Sequence, residues 1–285
     1  MGLFKNRAGR RRLFQAGLLS TVAAGTVTPE ANAALRPKAP GETKIVALFG
    51  TTDWNNGIGH EIHVRGIFEA KKDWRLIFVR ANRFFTPELI GDADLLIVSR
   101  DGSPDPIDLF TPDAGAADTI TGGAALWTDA NVRAVIDNVR DRGMGLLALH
   151  NTICAGNRRF TDFLDVQGIT KHGFEPLWVR RLNREHPVTQ GTGKFLISRD
   201  EQYAVIIRSQ TTATLFETTA VHEKRQAISG WALERGKGRI VGLLPGSTVH
   251  AYRSPEYKNI FWRAAHWAMK RDIPRYSNAK NTLYN

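Results

Sequence analysis

The chain has almost no sulfur chemistry to offer. A single residue of the 285, Cys154, is cysteine, so neither an intramolecular disulfide nor a paired-cysteine metal site can form. HExxH is absent, and His60-Glu61-Ile62-His63 sets its imidazoles three residues apart, a weak ligand signal on a helix. GxSxG is absent as well, which removes the usual elbow of a serine hydrolase. No apolar run is long enough to span a bilayer. The formal charge is +11, yet the basic residues are scattered rather than gathered on one helix or interleaved with aromatics, which argues against a nucleic-acid partner.

What is present suits a globular protein. Hydrophobic residues make up 42% of the chain and charged residues 24%, enough for one large domain or two small ones. Residues 1–33 read as an export signal of the twin-arginine type. Arg11-Arg12-Leu13-Phe14 matches R-R-x-F, a mildly apolar stretch runs from Ala16 to Val27, and Ala31-Asn32-Ala33 is a small-residue cleavage site. Cleavage there removes five basic residues and one acid, leaving +7 on a periplasmic or extracellular protein with no stable membrane anchor. Residues 34–43 then read as a linker, 44–272 as one domain and 273–285 as a C-terminal tail.

Lys44–Phe49, Trp74–Val79, Asp94–Val98 and Met144–Leu149 are short apolar runs of the buried-strand kind, with a short helix expected at Pro87–Ile90. The helix that His60 and His63 open is expected to bury Ile62, Ile67 and Phe68. Another starts at Thr128 as N-cap, carries Val132, Val135, Ile136 and Val139 on one face, and stops at Gly143. The aperiodic stretch Arg100–Gly123 has the length of a lid or insertion. This βαβ alternation predicts a doubly wound, mostly parallel α/β sheet. After a helix around Phe160–Leu164, strands are expected at Trp178–Leu182, Phe195–Ser198, Tyr203–Ile207, Thr214–Glu217 and Ala227–Leu233. These are antiparallel additions to the same domain. Gly236-Lys237-Gly238-Arg239 reads as a hairpin turn before the buried strand Arg239–Leu244, since no helix follows it. Ser254 and Pro255 open a closing helix that buries Ile260, Phe261, Ala264, Ala265 and Trp267.

In open α/β sheets ligands bind beyond the carboxyl ends of the strands. There the run Met144–Leu149 delivers His150 and Asn151, where a hydrolase elbow would hold a nucleophile. Among the eight histidines, His60, His150, His172 and His250 follow core elements, whereas His186 and His266 read as structural. Adjacent acids Asp200 and Glu201 point to opposite faces of a strand. Glu201 is the expected inward one, because Asp200 suits a turn. Asn151, Trp54, Tyr203 and His250 are the candidate substrate contacts.

Taken together, Gly145–His150, Phe163-Leu164, His172, His186-Pro187-Val188-Thr189, Asp200-Glu201-Gln202-Tyr203, Gly236–Arg239, Pro245-Gly246 and Pro255 leading to Trp267 resemble the ThuA-like, or trehalose-utilisation, family. The resemblance runs from about Lys44 to Lys270. It implies a flavodoxin-like core, as in class I glutamine amidotransferases, elaborated with extra strands. It also implies an inward, catalytic set of His60, His150, His172 and Glu201, and a carbohydrate substrate, an oxidised (3-keto) disaccharide or glycoside. Family members lack the amidotransferase cysteine, in line with His150 at the elbow; Cys154 lies beyond it. Many relatives carry Gly-His after the final core strand, where this chain has Gly246-Ser247 and, three residues on, His250. Three readings stay open: a carbohydrate enzyme using His/Glu acid–base chemistry, a noncatalytic sugar-binding or accessory protein, and a metal-assisted hydrolase or lyase. A divalent metal as cofactor and the oligomeric state are also left open.

Overall fold

Nine strands join in one sheet in the computed structural model, which describes residues 35–50, 57–68, 71–80, 82–102 and 126–276. They are β1 (Thr43–Phe49), β2 (Trp74–Val79), β3 (Leu95–Ser99), β4 (Gly145–Leu149), β5 (Val166–Arg181), β6 (Phe195–Ile207), β7 (Ala213–Ala220), β8 (Gln226–Arg235) and β9 (Gly238–Leu243). The helices are α1 (Gly57–Phe68), α2 (Pro87–Ile90), α3 (Asp129–Asp137), α4 (Arg158–Phe163), α5 (Val249–Arg253) and α6 (Pro255–Ala268). The expected leader, Trp54 and its loop, most of the stretch 100–123 and the end of the tail lie outside the described residues.

The sheet order is β2-β1-β3-β4-β9-β8-β7-β5-β6. Its first five strands are parallel and reproduce the flavodoxin-like order 2-1-3-4-5. The remaining pairings are antiparallel. Every residue of β1, β3 and β4 is buried, as strands covered on both faces must be. This is the expected class, an α/β fold that is mostly parallel in its first half with added antiparallel strands.

The local signals act where they were read. Thr128 Oγ1 accepts the Asn131 amide at the start of α3, and Val132, Val135, Ile136 and Val139 are all buried. A wider, π-type turn over Asn138–Arg142 follows, and Gly143 at φ 90° ends it, a left-handed backbone that glycine adopts without a Cβ clash. Ser254 Oγ caps α6 by accepting the Tyr257 amide at 3.2 Å, with Pro255 in its first turn. Gly236, at φ 59°, turns the hairpin between β8 and β9.

Three expectations are corrected. Ile62 is 44% exposed: the inward stripe of α1 is His60, Val64, Ile67 and Phe68, which puts Ile62 on the opposite side. Phe195–Ser198 and Tyr203–Ile207 are one thirteen-residue strand, β6, and β5 begins at Val166 instead of Trp178. Arg199-Asp200-Glu201 looks like a turn because it is charged, yet both acids find partners inside the protein. Strands at the sheet's margin also need fewer apolar residues, so the first half of β5 carries no apolar alternation.

The antiparallel half does not lie flat. Four strands separate β4 from β6 in the order, which at the usual strand spacing would place them about 24 Å apart. Instead β6 touches β8 and α5, and β5 touches the turn that follows β4. The sheet therefore curls and returns the middle of β6 to the carboxyl end of β4.

Candidate active site

His150 is the first residue after β4, and its φ is 43°. This left-handed conformation is uncommon for a residue with a Cβ and costs about 1 kcal/mol or more, so surrounding contacts must hold it. A 3-10 turn, His150–Cys154, follows directly, which makes a sharp strand-to-helix elbow. Thr152 fastens that elbow to β3, its Oγ1 donating to the Val98 carbonyl at 2.6 Å and accepting the Arg100 amide at 3.3 Å.

Both ring nitrogens of His150 have partners. Nδ1 lies 3.1 Å from the Leu244 carbonyl, an acceptor only, so Nδ1 carries the hydrogen. Nε2 lies 3.3 Å from Glu201 Oε2, and that contact is a hydrogen bond only when one proton lies between them. Tyr203 sets the edge of its ring against the imidazole at 4.7 Å between centroids. The other carboxylate oxygen of Glu201, Oε1, receives Lys171 Nζ at 3.0 Å. Burial pushes the Glu201 carboxyl up, but the bonds from His150 and Lys171 outweigh it and the net shift is downward. Glu201 is 6% exposed, so these partners keep a carboxylate inside the protein.

Asp200 is not in a turn. It lies in β6, fully buried, and its oxygens accept the backbone amides of Gly246 at 2.6 Å, Thr248 at 3.1 Å and Glu201 at 3.1 Å. Burial raises its pKa to about 6, against the opposing effects of His150 and of those amides. The two adjacent acids thus divide: Glu201 meets His150 and Lys171, while Asp200 binds the loop after β9.

His60 is 1% exposed, and its Nε2 has no hydrogen-bond partner among the described residues. Its ring lies 5.0 Å from that of Tyr252. Burial, reinforced by the charges of His150 and His63, lowers its pKa to about 4, so His60 is neutral at physiological pH. Asn151 Oδ1 and Ser247 Oγ are likewise buried without a partner among the described residues. His172 is half-buried at a bulge of β5, and no hydrogen bond, ion pair or ring contact links it to His150 or Glu201 among the described residues. His250 turns to β6, where its Nδ1 lies 2.9 Å from Ser198 Oγ. Trp54 lies outside the described residues. Lys171 and the Leu244 carbonyl were missed: a lysine in a polar stretch gives no signal until its strand register is known.

Cys154 is exposed. Desolvation of its inner side and the Asp101 carboxylate push the thiol above its ordinary range, opposite to what a nucleophilic thiolate needs. His186 accepts the Val188 amide at 3.2 Å and packs on Trp267, and His266 packs between Trp74 and Trp262. Both are structural. Among the described residues no group of three or more His, Cys, Asp or Glu is arranged to hold a metal ion. His150 and Asp200 already spend their ligating atoms on protein partners. Two surface concavities, of about 580 and 550 Å³, lie beside Arg158 and Arg208 and beside Asn183 and Glu185, away from His150.

Comparison with known proteins places the chain in a family. No curated protein matches the sequence. Among solved structures, a ThuA-like protein from Parabacteroides merdae is 13% identical with a TM-score of 0.61, covering 82% of this chain and 92% of that one. A ThuA-like protein from Bacteroides uniformis is 14% identical with a TM-score of 0.59, covering 86% and 98%. A cytoplasmic protein from Salmonella typhimurium is 13% identical with a TM-score of 0.53, covering 79% and 99%. At such identities these structures speak for the fold alone. The ThuA profile, described as trehalose utilisation, matches residues 114–268. That is more than half of the chain, and it takes in the elbow at His150, Glu201 and the loop after β9: the chain belongs to the ThuA family.

Proposed function

We propose that the chain is an exported carbohydrate enzyme in which Glu201 and His150 move protons on an oxidised (3-keto) disaccharide or glycoside. One observation carries this reading: the 3.3 Å contact between His150 Nε2 and Glu201 Oε2, two groups able to share a proton, at the carboxyl end of a central strand. Lys171 keeps Glu201 ionised and the Leu244 carbonyl holds the hydrogen on Nδ1, so Nε2 is the nitrogen through which His150 gives or takes a proton.

Such a pair suits a 3-keto sugar. The hydrogen on C2 is acidified by the neighbouring carbonyl, and the glycosidic oxygen on C1 stands β to that carbonyl. His150 Nε2 takes the C2 proton, the Glu201 carboxylate stabilises the imidazolium so formed, the C1–O bond breaks as a C1–C2 double bond forms, and the proton now on Nε2 goes to the departing oxygen. No electrons leave the substrate, and water can add to the product later. General acid–base help of this kind is worth about 10²–10⁴ in rate. The expectation of export rests on Arg11-Arg12-Leu13-Phe14 and the small-residue site at Ala31-Asn32-Ala33.

Mass spectrometry of oxidised and unoxidised disaccharides incubated with the protein tests the reading. Turnover of a 3-keto substrate that is lost in His150→Ala and Glu201→Gln supports it. Turnover that survives both changes removes it. A noncatalytic sugar-binding role has one observation in its favour: Ser247, not histidine, follows Gly246, and its Oγ is buried without a partner among the described residues. Sugar binding by a protein inert toward every oxidised sugar would establish that role.

A further inference from the structure

We infer that Asp200 is a positioning residue for the acid–base pair, acting through the loop Leu244–Thr248 to hold the imidazole of His150 in one tautomer. The inference rests on the reading of His150 and Glu201 as that pair, and it assigns Asp200 no contact with substrate.

The contacts close a circuit. Starting on β6, the Asp200 carboxylate takes the amides of Gly246 and Thr248. Two residues before Gly246 the same loop presents the Leu244 carbonyl to His150 Nδ1. From the other side of the ring, Nε2 returns to Glu201 on β6, the immediate neighbour of Asp200. One strand therefore holds both ends of the imidazole, directly through Glu201 and indirectly through Asp200. The geometry needs this support. His150 has a left-handed backbone, and a ring with a carbonyl on one nitrogen and a carboxylate on the other keeps its orientation only while both partners stay in place.

Only a carboxylate does this work at this place. Two amide donors converge on it from the loop and one from its own strand, and an ionised carboxylate accepts at both oxygens without donating. Asparagine would turn an NH2 group toward one of those amides. The loop has other fastenings: the Tyr257 hydroxyl donates to the Pro245 carbonyl, and Thr248 Oγ1 donates to the Arg199 carbonyl at 2.6 Å. Loss of Asp200 should thus loosen the loop without unfolding the protein.

The test uses the full chain with 15N-labelled histidine. Ring-nitrogen spectra report directly which nitrogen of His150 carries hydrogen. The wild type should show one state, with hydrogen on Nδ1. Asp200→Asn should replace that signature with a mixture of tautomers, and Asp200→Glu, whose carboxylate accepts without donating, should restore part of it. Glu175→Gln is the matched control. It alters another buried carboxylate, opposite Asp200 in the β5–β6 register and bound to the His222 amide at 2.7 Å, and should lower the melting temperature without touching the His150 signal. Should Asp200→Asn fail to fold, Gly246→Ala displaces the loop by its own means. A Cβ there would lie 3.1 Å from the Tyr257 hydroxyl at φ 125°, and the same tautomer mixture is expected. A wild-type His150 signature in Asp200→Asn or Gly246→Ala, or an equal disturbance in Glu175→Gln, overturns the inference. The acid–base reading fails separately, when His150→Ala leaves turnover unchanged.

Discussion

Nε2 of His150 and Oε2 of Glu201 meet at 3.3 Å although they belong to opposite halves of the sheet. Glu201→Gln preserves the shape of the side chain and removes its charge. Turnover of a 3-keto disaccharide should fall by about 10²–10⁴, measured as kcat under saturating substrate, with an unchanged circular-dichroism spectrum.

Lys171, with His150, holds Glu201 ionised. The carboxyl lies below its ordinary range because His150 and Lys171 outweigh burial, so Lys171→Met should raise it. The lowered folded-state value means that stability from this group is present above the ordinary carboxyl range and is lost as pH falls through the folded value. In Lys171→Met the folded value rises toward the unfolded one, so that loss should be smaller and should be complete at a higher pH. A 13C titration of the Glu201 carboxyl reads the shift directly, and a shift downward or none at all would exclude the role given to Lys171.

Acid should weaken the fold through His60. Its pKa is lowered to about 4 by burial and by the neighbouring His150 and His63, whereas in the unfolded chain it stands near 6.5. The stability tied to neutral His60 is complete above pH 6.5 and drains away as pH falls through about 4. The full difference is on the order of 3 kcal/mol. Urea melts at pH 7 and pH 4.5 should show a steeper loss for the wild type than for His60→Gln.

Packing makes a sharper demand at Gly145. A Cβ there would lie 2.8 Å from the carbonyl carbon of Ala268 at the end of α6, whereas one at Gly193 would meet nothing within 4 Å. Gly145→Ala should cost about 1–3 kcal/mol, and Gly193→Ala about 0.5 kcal/mol or less. Thermal melts of the two variants side by side give the comparison.

Export is tested with the leader. Replacing Arg11 and Arg12 with lysine should leave the precursor inside the cell, while the unaltered chain appears outside the inner membrane with its first 33 residues removed. Fractionation with mass determination of the mature N-terminus decides it.

Much of the parallel half was legible because strands buried on both faces must be apolar throughout, as Ile45–Phe49 and Leu146–Leu149 are. Placing His150 at a strand's carboxyl end needed no more than that. The margin of the sheet was not legible. Residues 166–176 of β5 mix glycine, lysine, histidine and glutamate, and their pairing with β6 breaks register three times. Asp200 misled for a related reason: a charged residue mid-chain suggests a turn, and nothing local announces that three backbone amides await it. The contact of Glu201 with His150 was beyond any local reading, since it depends on how far the whole sheet curls.

That curl also sets when the pair can exist. His150 and Glu201 are about fifty residues apart in sequence, and four strands lie between β4 and β6 in the sheet, so their meeting must follow the antiparallel strands that carry β6 round. Non-local pairings of this kind form slowly and late. The contact is therefore withheld from a partly folded chain: His150 and Glu201 come together only as the sheet finishes closing. In refolding experiments the single-tautomer signature of His150 should recover with the slowest phase, after most of the strand signal has returned.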